Sequence, residues 1–272
     1  SLNAPDRHGN TSYQIFVDEY SDFIDVFANK LKTDVNKHLE TLTLRHGLNK
    51  LPYQCTIISD GDGVFREKYT AVCAEQGLAH ENTPPYTPQC NKAERAILAV
   101  DSMARSNLVD AANLDFNDYL FEASDAASHV HNRIVGTRGK TPYELVKGQQ
   151  PSIAHLIPFG CIGYLHAAKE SGRRSALQPG HRSEEVIMIG YRGAFSHQWK
   201  VIDQSGRTKH SMHVDWNEDD FGIEKQLSFD HLEAIAQEAG IEFEAHGALA
   251  EMDTTVPWSE TPAPVIGAPG ET

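Results

Sequence analysis

The chain is expected to be an α/β protein that gives way to a small all-β module and then to an acidic extension. Three observations lead there. Strand-type and helix-type periodicities alternate over the first 150 or so residues, short β-type runs parted by Gly, Ser and Pro follow, and the charge changes abruptly near the end. Of the 272 residues, 40% are hydrophobic and 23% charged, enough apolar content for a proper core. The net charge of −14 is unevenly spread. From Asp215 onward there are 14 acidic residues and one Lys, so residues 1–214 sum to about −1.

Tyr13, Ile15 and Val17 alternate with other residues, and Phe23–Phe27 follows a polar YSD turn, which predicts a hairpin. Thr33–His46 carries Val35, Leu39 and Leu42 at helical spacing, with Gly47 as its stop. Gln54–Ser59 is a short apolar strand that delivers Asp60 at its carboxyl end, where open α/β sheets place ligands. A helix over Arg66–Gln76 and a strand over Leu78–Asn82 come next. Pro84–Pro88 cannot be helical. A long helix begins near Asn91 with Ile97, Val100, Ala104 and Leu108 on one face, and another covers Phe116–Asn132. Thr141-Pro142-Tyr143-Glu144 is a capping box with Pro at the first helical position, so a short helix follows. Phe159–His166, Val186–Tyr191, Trp199–Asp203 and Lys209–Asp215 read as strands of a small barrel, with Trp199 and Trp216 in its core. Beyond Glu218 lies one amphipathic stretch, Leu227–Ala239, and a closing TPAPVIGAPGET that is expected to be disordered.

No apolar run approaches the roughly 18 residues that a membrane span needs. The N-terminus SLNAPDRHGN has no apolar signal core, so the nucleus or cytoplasm is the expected location. It also lacks an initiator Met, as a processed product or fragment would. Cys55, Cys73, Cys90 and Cys161 form no CxxC pair and are expected to be free thiols. His129 and His131 have no cysteine partners and read as structural or surface residues.

The chemistry concentrates in two strings. IISDGDGVF ends a strand with Asp60, and PPYTPQCNKAER carries Glu94 after 33 intervening residues. Carboxylate oxygens suit Mg²⁺, and two ions about 4 Å apart can clamp both the attacking and leaving oxygens of a phosphodiester. Lys92, Arg95 and Arg105 near the Glu94 helix, and Lys169, Arg173, Arg174 and Arg182 in one later loop, give a modest cationic footprint for phosphate. Arg95 could meet phosphate or pair with an acid; Gln89 and Asn91 could contact DNA or cap the helix.

Together with YQIFVDEYSDF at Tyr13, TPYELVKGQQPSIAHLIPFGC at Thr141 and VIMIGY at Val186, these strings resemble, in order, the integrase of copia-type retrotransposons. The resemblance covers about Tyr13 to Asn217. It implies an RNase H-like integrase core over 1–148, a mixed sheet flanked by helices, then an SH3-like barrel over 152–217 and an acidic extension over 218–272. It further implies polynucleotidyl transfer with Mg²⁺ or Mn²⁺, DNA ends and target DNA as partners, and a homo-oligomer. Asp60 and Glu94 match the family's metal-holding carboxylates.

There are departures. Val64 stands where the family has an acid, and the Glu94 motif is one residue short and lacks its Gly. The family's first catalytic aspartate lies one strand earlier than Asp18, which matches the second strand and its turn. Asp18 is therefore the third, weaker candidate ligand, and Asp6 is a poor substitute. A rival reading is a catalytically dead or co-opted relic that binds nucleic acid or protein. A free-standing RNase H-type nuclease would leave the barrel and PPYTPQ unexplained.

Overall fold

In the computed structural model, residues 4–60, 67–83, 92–111, 113–166 and 183–221 are described. All lie in the compact unit Ser1–Glu224. Strand β1 (Ser12–Val17) pairs antiparallel with β2 (Ile24–Asn29), so the hairpin is formed. Helix α1 (Val35–His46) follows a 3₁₀ turn at Lys32–Asp34 and stops at Gly47, whose φ of 65° is one that glycine adopts without strain. Strand β3 (Thr56–Ser59) runs parallel to β4 (Ala79–Asn82), with α2 (Glu67–Glu75) between them in the chain. Among the described residues the two ribbons are not hydrogen-bonded to each other.

Helix α3 (Lys92–Asp110) buries Ala96, Val100, Ala104 and Leu108. Three members of the expected face are buried; at its start Ala96, one turn before Val100, replaces Ile97, which stays 37% exposed. In α4 (Phe116–His131) the Asp115 carboxylate accepts from the backbone N–H groups of Asn117 and Asp118 at 2.9 and 3.0 Å. In α5 (Pro142–Lys147) the Thr141 hydroxyl accepts from Glu144 N–H at 3.0 Å.

The remaining strands, β5 (Ile162–His166), β6 (Ser183–Tyr191), β7 (Trp199–Asp203), β8 (Thr208–Ser211) and β9 (Val214–Asn217), form one antiparallel sheet in the order β8-β7-β6-β5-β9. The single strand expected over Lys209–Asp215 is divided, because its two halves serve opposite edges. Only Met212 and His213 join those edges, so the sheet must curl strongly. Val186, Val201 and Val214 fill the inside of the curl with Trp199 and Trp216, whose rings meet edge-on at 5.4 Å. Gly163 is required there: a Cβ would lie 2.5 Å from the Trp216 ring.

The sheet is not a separate body. Met188, Ile189 and Tyr191 share a core with Ala104, Leu108, Ala123 and Ala126 of α3 and α4. On α4, the buried Glu122 carboxylate receives Lys200 Nζ of β7 at 3.3 Å and His8 Nε2 at 3.2 Å. Phe195, in the β6–β7 loop, stacks on Phe23 at 5.5 Å, with Lys147 Nζ 3.7 Å from its ring centre. The expected tail and its amphipathic stretch lie outside the described residues, apart from 218–221.

Candidate active site

Asp60 directly follows β3 and is exposed, at the carboxyl end of a parallel pair. That end is held firmly. Thr83 N–H donates to the Ser59 carbonyl at 2.7 Å, and Ser59 Oγ lies 2.9 Å from His80 Nε2. The other imidazole nitrogen of His80 is 2.7 Å from Thr70 Oγ1 of α2, so β3, β4 and α2 are laced together beside Asp60. Burial lowers the His80 pKa, favouring a neutral ring that donates through one nitrogen and accepts through the other. Sequence reasoning missed His80; its only signal was a polar residue inside a predicted strand.

Glu94 stands exposed in the first turn of α3, where a carboxylate suits the helix dipole. Arg95 is exposed beside it. Arg105, further along, stacks over Phe116 at 5.6 Å. Lys92 is otherwise employed: its ammonium meets Asp22 Oδ1 at 2.6 Å and donates to the Glu19 carbonyl. Gln89, Asn91, Arg173 and Arg174 lie outside the described residues, as do Asp62 and Val64.

Asp18 builds the β1–β2 turn. Its Oδ2 accepts from the Ser21 backbone N–H at 2.7 Å and from the Ser21 hydroxyl at 2.6 Å. Burial and then the Asp18 charge raise the pKa of the Cys55 thiol, which lies just before β3. Asp60 leaves the other end of that strand, about 16 Å further along at the usual strand rise. Asp6 shapes a loop, its Oδ1 accepting from the N–H groups of His8 and Asn10 at 2.8 Å.

Carboxylate oxygens at Asp60 and Glu94 have the right chemistry for a hard divalent cation. Among the described residues, however, no three His, Cys, Asp or Glu side chains gather as a metal site. Cys55, Cys73 and Cys161 are free, and burial pushes the Cys73 and Cys161 thiols up to about 11 and about 12. Cys90 lies outside the described residues. No helix among the described residues is long and apolar enough to cross a membrane.

No protein-family model matches the chain. Over 190 residues, 67% of its length, it is 30% identical to the retrovirus-related Pol polyprotein from transposon TNT 1-94 of Nicotiana tabacum. It spans 14% of that polyprotein. Solved structures give weaker likenesses. The catalytic core domain of BIV integrase is 20% identical with a TM-score of 0.40, covering 49% of this chain and 84% of that one. A simian T-cell lymphotropic virus intasome in complex with PP2A regulatory subunit B56 gamma is 16% identical with a TM-score of 0.43, covering 76% and 69%. The HTLV-2 integrase catalytic core domain in complex with magnesium (trimeric form) is 20% identical with a TM-score of 0.37, covering 48% and 82%.

The polyprotein match and the ordered motif series make the chain, of mixed α/β fold, similar to retrotransposon Pol proteins. More narrowly, its sequence is similar to that of copia-type retrotransposon integrases.

Proposed function

We propose that the chain serves DNA integration, as the part of an integrase that presents Asp60 and Glu94 to a divalent metal, Mg²⁺ or Mn²⁺. The reaction would be polynucleotidyl transfer at element ends and into target DNA. A bound metal would supply charge neutralisation at the scissile phosphate and an activated nucleophile. The observation that carries this reading is the position of the two acids: one closes a parallel strand pair and the other opens the long helix, in the family's order. Arg95, Gln89, Asn91, Arg173 and Arg174 are the proposed DNA contacts. The curled five-stranded sheet is read as the SH3-like barrel, and a homo-oligomer as the working form.

A third carboxylate is needed, and we assign it to a strand lying between the two ribbons. The second edges of β1 and β3 have no hydrogen-bonded neighbour among the described residues. Yet Phe16 of β1 and Ile57 of β3 pack against one cluster, centred on Leu39, Tyr69 and Cys73. A strand bearing the family's first aspartate would satisfy both edges.

Titration calorimetry with Mn²⁺ tests the reading on this chain and on its Asp60→Asn and Glu94→Gln variants. Saturable binding that is lost in both variants supports it. A folded chain that binds no Mn²⁺ favours instead a relic acting as a nucleic-acid- or protein-binding module.

A further inference from the structure

The hairpin turn between β1 and β2 is held from two directions by residues distant in sequence. Lys92 reaches Asp22 Oδ1 at 2.6 Å and the Glu19 carbonyl. Arg138, from the loop before α5, donates to the Tyr20 carbonyl, lies 3.5 Å from Asp22 Oδ2, and sits 5.0 Å from the Tyr20 ring centre. Within the turn, Asp22 has φ of 63°, the one non-glycine residue with positive φ among those described. Such a conformation persists where its surroundings over-determine it.

The side chains of Lys92 and Asp22 are 25% and 39% exposed, so water screens the pair and its contribution to global stability is small. Its effect is on direction. Lys92 is the first residue of α3, and Glu94 stands two residues later in the same turn. First-turn N–H groups have no acceptor within the helix, which leaves a helix start prone to fray. A tether at Lys92 fixes the rotation of that turn about the helix axis, and with it the direction of Glu94.

We infer that Lys92, paired with Asp22 and with Arg138 bracing the turn, is a positioning residue for Glu94. This rests on the reading of Glu94 as a metal-holding carboxylate. It also moves Lys92 away from the DNA-contact role that its charge suggests.

Hydrogen exchange on the full chain tests it at the amides of Ala96 and Ile97, whose helical acceptors belong to Lys92 and Ala93. Lys92→Met keeps the aliphatic stem and removes the charge; Asp22→Gly keeps the turn's backbone accessible and removes the carboxylate. Each should speed exchange at Ala96 and Ile97 up to about fivefold, the scale of a partly exposed pair, without altering Ala104 or Leu108. The double variant should be no worse than either single, as coupled partners require. Lys92→Arg should restore protection. Mn²⁺ affinity should follow the same order. Unchanged exchange in both single variants, or additive effects in the double, would overturn the inference. A wild-type chain that binds no Mn²⁺ would sink the metal reading, while exchange still decides whether the tether exists.

Discussion

The five-stranded sheet and the β3–β4 ribbon are built from similar short strands but are buried very differently. In β6, Val186, Met188, Ile189 and Tyr191 are at most 3% exposed, wedged between the curl of their own sheet and helices α3 and α4. In β3 no residue is fully buried and Ile58 is 58% exposed. The sheet curls over its own core; among the described residues the ribbon's outer edges have no hydrogen-bonded neighbour. Stability is therefore concentrated away from Asp60, and the strand that presents it is held by its ladder to β4, by Ile57 on the Leu39 cluster and by the polar ties of Ser59, His80 and Thr83.

The largest effect should come from breaking the dense region. Met188→Ala, at a fully buried position, is expected to cost about 3 kcal/mol in urea unfolding. A cost below about 1 kcal/mol would mean that the sheet is far looser against α4 than its burial implies.

A pH scan sharpens the same contrast, because the dense region holds titratable groups. His129 of α4 stacks on Tyr191 at 3.9 Å, and its Nε2 lies 2.9 Å from His155 Nε2. Burial, and then the Arg133 charge, lowers His129 to about 2 and His155 to about 4. Both are neutral in the fold and take up protons near 6.5 when unfolded. The stability linked to them is whole above pH 6.5 and is lost as pH falls from there towards 4 and then 2. Asp125 acts oppositely: burial raises it to about 6, so its folded form keeps a proton between pH 4 and 6 that the unfolded chain releases. Two imidazoles outweigh one carboxyl. The urea midpoint should fall from pH 7 to pH 5, and His129→Phe should flatten that fall; a level midpoint in the parent chain would refute the buried neutral pair.

The smallest effect belongs to the open ribbon. Ile58→Ser should change stability by less than about 0.5 kcal/mol in the same assay. A loss above 1 kcal/mol would show that β3 has a covering partner in solution.

Features legible from the sequence are those decided within a few residues. The Thr141 cap, the Gly47 stop and the alternation of β1 needed only neighbours. The face of α3 was nearly legible, but a one-residue choice between Ala96 and Ile97 depends on what packs there: Ile24, Val26 and Ala127 meet Ala96 and Val100 in one cluster. The division of Lys209–Asp215 was not legible, since a continuous β-type run says nothing about serving two edges. The candidate site divides likewise. Asp60 and Glu94 stood out through the motifs around them, whereas His80 had no motif and the acceptance of two Ser21 hydrogen bonds by Asp18 was not written in its string.

By itself the sequence determined most of the elements, the copia-type integrase resemblance and the acids that carry it, because those are written in local periodicity, caps and short strings. Only the tertiary structure decided that β8 and β9 part to opposite edges, that β7 is tied through Lys200 to Glu122, and that Lys92 turns to Asp22 rather than outward. The last two are pairings between residues 70 or more positions apart. Which partner a charge or a strand edge finds is settled by packing and desolvation once the chain has closed, and no local pattern encodes it.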